Sequence, residues 1–379
     1  MGALAGRVVC CGLMVIRLNG ARAQRVTKRT REYPNPPSRA GRFEAESRAI
    51  VFHSRPHQRR NPLPKSDIHV LSAIKLSPFY EPLVREQFIF HDRLHEIDPK
   101  AFAAIAPQIR GIAGSGESKV SGELIAQCPN LEIISVFGVG YDGVDVAAAK
   151  AKGVMVTHTP NVLNDDVADL AIGLMLSAAR QLPQADRYVR EGRWAEIGPM
   201  PLARKVSGAK LGIVGMGRIG QAIAQRALAF NMSVAYTTRS PKSVPFTHVP
   251  NVVDLARQSD YLIVITPGGA ATRHLINAEV LAALGPEGIL VNVARGSVVD
   301  EAALIDALER KVIAGAGLDV FQNEPHVPEA LRAVPHVVLA PHIGSATSQT
   351  RKAMGDLAFA NLQAHFEGRP VITPVPECQ

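Results

Sequence analysis

Three polar side chains in the last quarter of the sequence are of types that could together deliver a proton and hold an anion. Histidine has the side chain whose pKa lies nearest neutrality, so His342 can act as an acid at physiological pH. A glutamate such as Glu324, hydrogen-bonded to the imidazole, would fix its tautomer and raise its pKa. Arg295 can grip a carboxylate through two parallel hydrogen bonds. The three residues therefore form a complete set for protonating a carbonyl oxygen while a neighbouring carboxylate is held.

Each of these residues also fits a plain structural role. A loop arginine is commonly a surface ion-pair partner, and one histidine among 12 is more often structural than catalytic. All three, however, follow runs that predict strands, in VNVAR, LDVFQNE and LAPH. Open α/β sheets bind ligands at the carboxyl ends of their strands, so this shared position favours the catalytic hypothesis. Sequence alone does not establish that the three side chains meet in space.

A glycine-rich turn begins the part of the chain that must position these residues. The stretch KLGIVGMGRIGQAIAQ, residues 210–225, has the spacing G-x-G-x-x-G between an apolar run and an amphipathic tail. Gly215 would let the strand turn, Gly217 would let a pyrophosphate approach the backbone, and Gly220 would let the helix pack closely. A helix starting near Arg218 would direct its free N–H groups at the phosphates. The pattern predicts a dinucleotide site.

The end of the second strand of this region indicates which dinucleotide binds. Sites that prefer NAD place an acidic residue about 20 positions further on, where it bonds the ribose hydroxyls. Thr237 stands there in MSVAYTTRSPK, and Arg239, Ser240 and Lys242 follow it. Because arginine can hold a phosphate through two hydrogen bonds, the loop predicts a 2′-phosphate site and hence NADPH, with NADH possible. The alternative is a solvated basic turn.

Short β-branched runs alternate with helical patterns after the first 66 residues. They predict strands at 67–74, 109–116, 131–140 and 153–160. The stretch NDDVADLAIGLMLSAARQL predicts a helix over 164–182, capped by Asn164 or Asp165. A second series of six strands begins at Lys210. This alternation predicts an α/β fold with parallel sheets covered on both faces, and six such strands make up a dinucleotide-binding domain.

Positive charge is concentrated at the beginning of the chain. Residues 1–65 hold 14 Lys and Arg against three Asp and Glu, whereas residues 66–379 hold 28 against 31. The basic segment has little apolar periodicity, so residues 1–66 are predicted to be a disordered extension. A dispensable leader, a targeting segment and a basic tether are the alternatives for its role. The slightly acidic remainder argues against nucleic acid as a partner.

Scattered cysteines and short apolar runs exclude several protein classes. Cys10, Cys11, Cys128 and Cys378 form no C-x-x-C or Cys/His cluster, so neither a disulfide framework nor a metal site is predicted. Apolar stretches fall short of the roughly 20 residues that span a bilayer, so no membrane partner is expected. The first residues lack the order of a signal peptide. These features predict a cytoplasmic protein.

Five motifs, in their order along the chain, resemble those of one enzyme family. They are FGVGYDGVDVAAAKAKGVMVTHTPNVLNDDVADLA, GIVGMGRIG, VNVARGSVVDEAAL, AGAGLDVFQNEP and VVLAPHIGSAT. Over about residues 67–373 the chain is similar to the D-isomer-specific 2-hydroxyacid dehydrogenases. The segments YTTRS and ITPGGAATRHLIN resemble most the NADPH-dependent glyoxylate/hydroxypyruvate reductases of that family. Human-type hydroxypyruvate reductases carry additional tryptophans where this chain has only Trp194, so the substrate range stays open.

The resemblance implies a Rossmann dinucleotide-binding domain inserted into a flavodoxin-like substrate domain. Residues 67–160 and 343–373 would form the substrate domain, and residues 161–342 the coenzyme domain, with the cleft between them. The implied reaction is NADPH-dependent reduction of a small 2-oxoacid, hydroxypyruvate or glyoxylate, to the D-2-hydroxyacid. The resemblance also implies a homodimer formed through the coenzyme domain.

The resemblance implies a role for each residue of the site. Arg295 would bind the carboxylate and carbonyl oxygen of the 2-oxoacid, His342 would donate the proton, and Glu324 would orient His342. The backbone amides of Val139 and Gly140 would complete the carboxylate site. The cofactor would contact Arg218 and Ile219 at the pyrophosphate, Arg239 and Ser240 at the 2′-phosphate, Thr266 and Pro267 near the adenosine-side ribose, Asp319 at the nicotinamide carboxamide, and also Gly215, Gly217, Gly220, Val293, His342 and Gly344.

Three alternatives to this function stay open. Another D-2-hydroxyacid dehydrogenase, of the D-lactate type or a sugar-acid 2-ketoreductase, would share the motifs, although the missing acidic residue at Thr237 disfavours NAD-dependent types. A dinucleotide-sensing corepressor has the same fold and polar residues, and would bind NADH with little turnover. Nucleic-acid binding through residues 1–65 would show a steep salt dependence.

Overall fold

The structure is a computed structural model that describes residues 66–379. The predicted disordered extension therefore lies, but for its last residue, outside the described residues. Across residues 66–379 no helix combines the length and the apolar composition that crossing a bilayer requires.

A five-stranded parallel sheet occupies the first part of the described chain, with the strand order β2-β1-β3-β4-β5. Its strands are β1 (His69–Ser72), β2 (Ile89–Asp92), β3 (Ile109–Ser115), β4 (Ile133–Phe137) and β5 (Met155–Thr157). Four of them confirm the predicted strands at shorter lengths. The sequence pattern missed β2, whose four residues IFHD are all half-buried at the sheet edge and include only two apolar side chains.

Short helices connect the strands of this sheet. They are α1 (Glu81–Gln87), α2 (Leu94–Ile97), α3 (Pro99–Ile105), α4 (Gly122–Gln127) and α5 (Val146–Ala151). Three of them begin at side-chain caps, in which the oxygen of Asp98, Ser121 or Asp145 accepts a backbone N–H three residues later. These caps set where the connections end and the helices begin.

Three helices follow β5, and the first of them joins the two halves of the fold. They are α6 (Asn164–Arg180), α7 (Leu182–Arg190) and α8 (Arg193–Ile197). The predicted cap of α6, Asn164 or Asp165, is wrong by one or two positions, because Leu163 is the N-cap residue and no side chain caps the helix. Asp165 instead pairs with Arg226, and Asp166 accepts a hydrogen bond from Thr347. The acidic side chains near the helix start therefore bind neighbouring elements.

The second sheet has seven parallel strands in the order β12-β11-β10-β9-β6-β7-β8. They are β6 (Lys210–Val214), β7 (Ser233–Thr237), β8 (Thr247–His248), β9 (Tyr261–Val264), β10 (Ile289–Asn292), β11 (Gly315–Leu318) and β12 (Val337–Leu339). The six predicted strands are confirmed, and the added one is the two-residue edge strand β8. The order reverses between β6 and β9, which is where doubly wound sheets bind ligands.

Six further helices follow: the first five alternate with the strands of this sheet, and the last returns the chain to the five-stranded sheet. They are α9 (Arg218–Leu228), α10 (Val252–Arg257), α11 (Ala278–Leu284), α12 (Glu301–Glu309), α13 (Glu329–Ala333) and α14 (Ser348–Phe366). Helix α14 packs on β4, where the Ser135 hydroxyl donates to the carbonyl of Ala358 at 2.9 Å. The chain thus leaves the five-stranded sheet, builds the seven-stranded sheet and comes back.

Buried apolar side chains on α6 connect the two sheets into one continuous core. The cluster extends from Val70 and Ile133 of the five-stranded sheet through Met175 of α6 to Ile213 and Val291 of the seven-stranded sheet. Burial of each such side chain contributes about 1.5–3 kcal/mol. The predicted α/β class with two parallel sheets is confirmed, while the predicted domain limits stay a prediction.

Candidate active site

The turn between β6 and α9 requires glycine at two positions for steric reasons. Gly215 has φ +109°, and a Cβ atom there would lie 2.9 Å from the carbonyl oxygen of Ile265. A Cβ atom at Gly220 would overlap the carbonyl oxygen of Gly215. The predicted tight turn and close helix packing are therefore present.

Gly217 differs from these two glycines because nothing in the described chain crowds it. A Cβ atom there would meet no heavy atom within 4 Å. Gly217 is the N-cap residue of α9, and no side chain caps this helix. The free N–H groups of the first turn therefore adjoin open space, which fits the close approach of a phosphate group.

A cavity of about 840 Å³ lies over the glycine turn. Nine of the predicted cofactor residues line it, together with Val139 of the predicted carboxylate site: Gly215, Gly217, Arg218, Ile219, Gly220, Arg239, Ser240, Thr266 and Pro267. The other predicted cofactor residues do not line it, but follow the ends of the neighbouring strands β10, β11 and β12: Val293, Asp319, His342 and Gly344. The size and position of the cavity fit a dinucleotide whose two ends lie at these two places.

The loop after β7 presents its positive charge to this cavity. The Thr237 side chain is buried and donates to the carbonyl of Pro250 at 3.2 Å, so no carboxylate ends the strand. Arg239 and Ser240 are exposed at the cavity, and Lys242 also lines it. Within residues 66–379 the guanidinium of Arg239 forms no hydrogen bond or ion pair. It is therefore available to an anionic group.

The predicted histidine and glutamate are in direct contact. His342 Nδ1 lies 2.6 Å from Glu324 Oε2, and Glu324 Oε1 accepts the backbone N–H of Phe321 at 2.9 Å. The hydrogen bond to Glu324 raises the pKa of His342, against the opposing effect of burial. Burial alone would raise the pKa of Glu324, but its bonds to His342 and to Phe321 N–H hold that pKa below its usual value. The pair is therefore suited to keep the imidazole protonated.

Asp319 holds the loop that carries His342. Its two carboxylate oxygens accept the backbone N–H groups of Ile343 and Gly344 at 2.7 and 2.8 Å. The His342 N–H donates to the Asp319 carbonyl at 2.9 Å, while His342 itself has the left-handed φ of +53°. Burial raises the pKa of Asp319, and the two N–H bonds act in the opposite direction. Asp319 thus fixes an unusual backbone conformation at the histidine.

Arg295 packs against the loop that follows β4. Its Nε donates to Asp142 Oδ2 at 3.1 Å, and its Nη1 donates to the carbonyl of Ala294 at 2.8 Å. A Cβ atom at Gly140 would overlap Arg295 Nη2, so glycine is required for this approach. Neither Val139 nor Gly140 donates its backbone N–H to another part of the described chain. The structure therefore brings the predicted carboxylate-binding groups together.

Two acidic residues of this site were missed by sequence reasoning. Asp142 pairs with Arg295, and Glu117 Oε1 lies 3.2 Å from His342 Nδ1. Both follow the ends of strands β3 or β4, which was the sequence feature that could have indicated them. Glu117, Glu324 and His342 place ligand-type atoms within 4.8 Å of one another. The hydrogen bond and charge attraction between these carboxylates and the imidazole account for that proximity.

The sequence matches a family model and several characterised relatives. The model for the D-isomer specific 2-hydroxyacid dehydrogenase, NAD binding domain, matches residues 172–344. A hydroxyphenylpyruvate reductase of Plectranthus scutellarioides is 46% identical over 310 residues, which are 81% of this chain and 99% of that protein. A glyoxylate/hydroxypyruvate reductase of Arabidopsis thaliana is 50% identical over 268 residues, covering 70% of this chain and 85% of that protein.

Solved structures give the same result. An NADPH-dependent glyoxylate/hydroxypyruvate reductase from Sinorhizobium meliloti, in complex with NADP and malonate, superimposes with a TM-score of 0.77 at 48% identity. The match covers 83% of this chain and 98% of that chain. A 2-hydroxyacid dehydrogenase from Ketogulonicigenium vulgare superimposes with a TM-score of 0.76 at 44% identity, over 82% and 98% of the two chains. These matches span nearly the whole length of the related proteins.

Proposed function

The chain belongs to the D-isomer-specific 2-hydroxyacid dehydrogenase family, and from this premise we propose that it reduces hydroxypyruvate or glyoxylate with NADPH. The product is the corresponding 2-hydroxyacid, of D configuration where C2 is a stereocentre. The family matches establish an oxidoreductase that binds a nicotinamide dinucleotide. The substrate is inferred from the named relatives, and the preference for NADPH from the loop that contains Arg239. A cell that keeps NADPH reduced would drive the reaction toward the hydroxyacid.

The hydrogen bond between His342 and Glu324 is the observation that carries this proposal. The Nδ1–H of His342 is directed at the carboxylate of Glu324, which leaves Nε2 for the substrate. Because Glu324 raises the pKa of His342, the charged ring, which also carries a hydrogen on Nε2, is favoured near neutral pH. Hydride addition to C2 places negative charge on the carbonyl oxygen, and Nε2–H protonates that oxygen to a hydroxyl group. His342 is then neutral until it takes a proton from solvent.

Arg295 and the loop after β4 form the proposed carboxylate site. The bond from Nε to Asp142 leaves Nη2 beside Gly140, and the N–H groups of Val139 and Gly140 donate to no other group of the described chain. A guanidinium together with two backbone donors suits the two oxygens of a carboxylate. The same positive charge stabilises the negative charge that develops on the carbonyl oxygen during reduction.

We assign NADPH to the cavity over the glycine turn and to the strand ends beside it. When bound, this cofactor supplies the hydride. Arg218 and Ile219 would bind its pyrophosphate, because they begin the uncapped helix α9. Its remaining contacts would be Arg239 and Ser240 at the 2′-phosphate, Thr266 and Pro267 near the ribose, and Val293, Asp319 and Gly344 toward the nicotinamide.

We further propose a homodimer, formed through the segment that contains α7 and α8. Apolar side chains of this segment are exposed in the single chain, including Trp194 at 63%, Ile197 at 65% and Leu202 at 99%. A second copy of the chain would cover them. The free thiols of Cys128 and Cys378 support the reducing conditions of the cytoplasm as the location.

Initial rates measured by the loss of NADPH or NADH absorbance test the proposal. The acids are hydroxypyruvate, glyoxylate, pyruvate, 4-hydroxyphenylpyruvate and 2-ketogluconate, because relatives are named for the last two as well. We expect the highest kcat/KM with NADPH and hydroxypyruvate or glyoxylate. A higher kcat/KM for 4-hydroxyphenylpyruvate or 2-ketogluconate would identify that acid as the substrate in place of hydroxypyruvate or glyoxylate. Tight cofactor binding without turnover on any acid would indicate a dinucleotide-sensing protein and contradict the proposed enzyme activity.

A further inference from the structure

His158 lies directly behind the proposed carboxylate site. It follows β5 and is half-buried where the chain passes from the five-stranded sheet toward α6. Its Nδ1 lies 2.9 Å from the carbonyl oxygen of Val139. A carbonyl oxygen can only accept a hydrogen bond, so Nδ1 must carry the hydrogen. The imidazole therefore acts as a donor to the loop after β4.

The imidazole of His158 is itself held by its neighbours. Its ring makes an edge contact with Tyr141, with ring centroids 5.4 Å apart and ring planes at 88°. The backbone N–H of His158 donates to the carbonyl of Thr373 at 3.1 Å. The hydroxyl of Thr373 donates to the carbonyl of His158 at 2.6 Å. Thr373 is bonded in turn to the fully buried Asn361 of α14 at 2.8 Å. A continuous chain of hydrogen bonds thus connects α14 with Val139.

Because a peptide group is planar, the hydrogen bond that fixes the Val139 carbonyl also fixes the N–H of the next residue. The carbonyl of Val139 and the N–H of Gly140 belong to one planar trans peptide, so they point in opposite directions. Fixing the carbonyl therefore fixes the direction of the N–H. That N–H donates no hydrogen bond within the described chain, and Gly140 lies against Arg295 Nη2. The N–H of Gly140 is thus free of other partners and held in one orientation, in a residue that lies against the guanidinium.

We propose that His158 is a positioning residue, which aims the Gly140 N–H at the carboxylate of the 2-oxoacid through its hydrogen bond to Val139. The inference rests on the proposed function, because it takes Val139, Gly140 and Arg295 as the carboxylate site. His158 acts by geometry rather than by charge. Burial, reinforced by the nearby charge of Arg218, lowers the pKa of His158, so its ring is neutral at neutral pH.

Two amide substitutions test this geometry. In His158→Asn the side-chain nitrogen is as many bonds from Cα as Nδ1 is, so it can donate to Val139, whereas in His158→Gln the nitrogen lies one bond further out. We expect His158→Gln and His158→Ala to raise the KM for the 2-oxoacid about 10-fold, with kcat and the KM for NADPH changed less than about 2-fold. His158→Asn should restore the KM to within about 3-fold of wild type. Tyr141→Phe keeps the ring contact and loses only the bond to Glu377. It should change neither kcat nor the KM for the 2-oxoacid or NADPH.

Binding of oxamate, an unreactive analogue of a 2-oxoacid, separates this inference from the proposed function. Its dissociation constant for the protein with NADPH is measured by calorimetry, and folding is checked by thermal unfolding. We expect folded His158→Gln to bind oxamate about 10-fold more weakly than wild type and His158→Asn. Equal binding by wild type and His158→Gln, or equal losses in the Asn and Gln variants, would overturn the inference. Wild-type protein that binds oxamate but reduces no 2-oxoacid would overturn the proposed function alone.

Discussion

The two ends of the proposed site are built in different ways. The phosphate end is a local structure, in which Gly215, Gly217 and Gly220 shape one turn and the backbone supplies the donors. The catalytic end is assembled from separate segments, since His342 meets Glu324 and Glu117 while Arg295 meets Asp142 and the backbone at Gly140.

This difference separates binding from chemistry. A change at the phosphate end alters space and local charge, so it should affect mainly the affinity for the dinucleotide. A change at the catalytic end removes a side chain that touches the reacting groups, so it should affect mainly turnover. Substitutions at each end test whether binding and turnover depend on different ends of the site.

The largest effect is expected from His342→Ala. The substitution removes the imidazole that is proposed to donate the proton, so kcat should fall by about 10²- to 10⁴-fold, the usual contribution of general acid catalysis. Steady-state rates measure this, and NADPH fluorescence titration should show a much smaller effect on cofactor binding than on kcat. Turnover within a factor of two of wild type would rule out His342 as the acid.

Arg295→Lys should lower kcat/KM by about 10²-fold. A single ammonium cannot bond Asp142 and also lie beside Gly140, as the planar guanidinium does. Rates with hydroxypyruvate measure the loss. Arg310→Lys is the matched control, because Arg310 is exposed and, within residues 66–379, forms an ion pair only with Asp306 on α12. An unchanged kcat/KM in the Arg295 variant would remove the carboxylate assignment.

Arg239→Asp should lower the preference for NADPH over NADH by about 10-fold. The substitution replaces a free cation at the cavity with an anion that repels a 2′-phosphate. The ratio of kcat/KM for the two cofactors measures it, while kcat itself should stay near wild type. Lys311→Asp makes the same charge change away from the cavity and should leave the ratio constant. The same ratio in both variants would contradict the 2′-phosphate assignment.

Gly217→Ala and Gly220→Ala distinguish a glycine that leaves room for the cofactor from one that the fold itself requires. A methyl group at Gly217 meets only open space, so the fold should keep its melting temperature while the KM for NADPH rises about fivefold. A methyl group at Gly220 overlaps the Gly215 carbonyl and should destabilise the protein by about 1–3 kcal/mol. Thermal unfolding and cofactor titration distinguish the two. A destabilised Gly217 variant with normal NADPH affinity would contradict this division.

The pH dependence of reduction should depend on Glu324. His342 donates its proton only when charged, so the rate falls as pH rises through its raised pKa. Glu324→Gln removes the main cause of that rise, and the falling limb of the profile should move to lower pH. For stability, the contribution of the raised His342 pKa is complete below the pKa of the unfolded histidine and is lost as pH rises through the folded value. The contribution of the lowered Glu324 pKa is present above the pKa of the unfolded glutamate and is lost as pH falls through the folded value. An unmoved limb would show that another group controls it.

Much of the fold was predictable because its determinants are local. Alternating β-branched and helical runs predicted ten of the 12 strands, and G-x-G-x-x-G predicted the turn before Arg218. The missed strands β2 and β8 are edge strands, which lack the apolar pattern of buried ones. The cap of α6 was misplaced, since Leu163 is the N-cap residue rather than Asn164 or Asp165. Asp165 pairs instead with Arg226, a contact that only packing brings about.

The sequence by itself determined the fold class, the dinucleotide turn and the types of the three polar residues. These follow from side-chain periodicity, from the steric freedom of glycine and from functional groups, all of which are properties of short stretches. Only the tertiary structure decided that Glu324 bonds His342, that Asp142 holds Arg295 and that His158 supports Val139. Hydrogen bonds require atoms within about 3 Å, and the separation of two residues along a chain does not specify that distance.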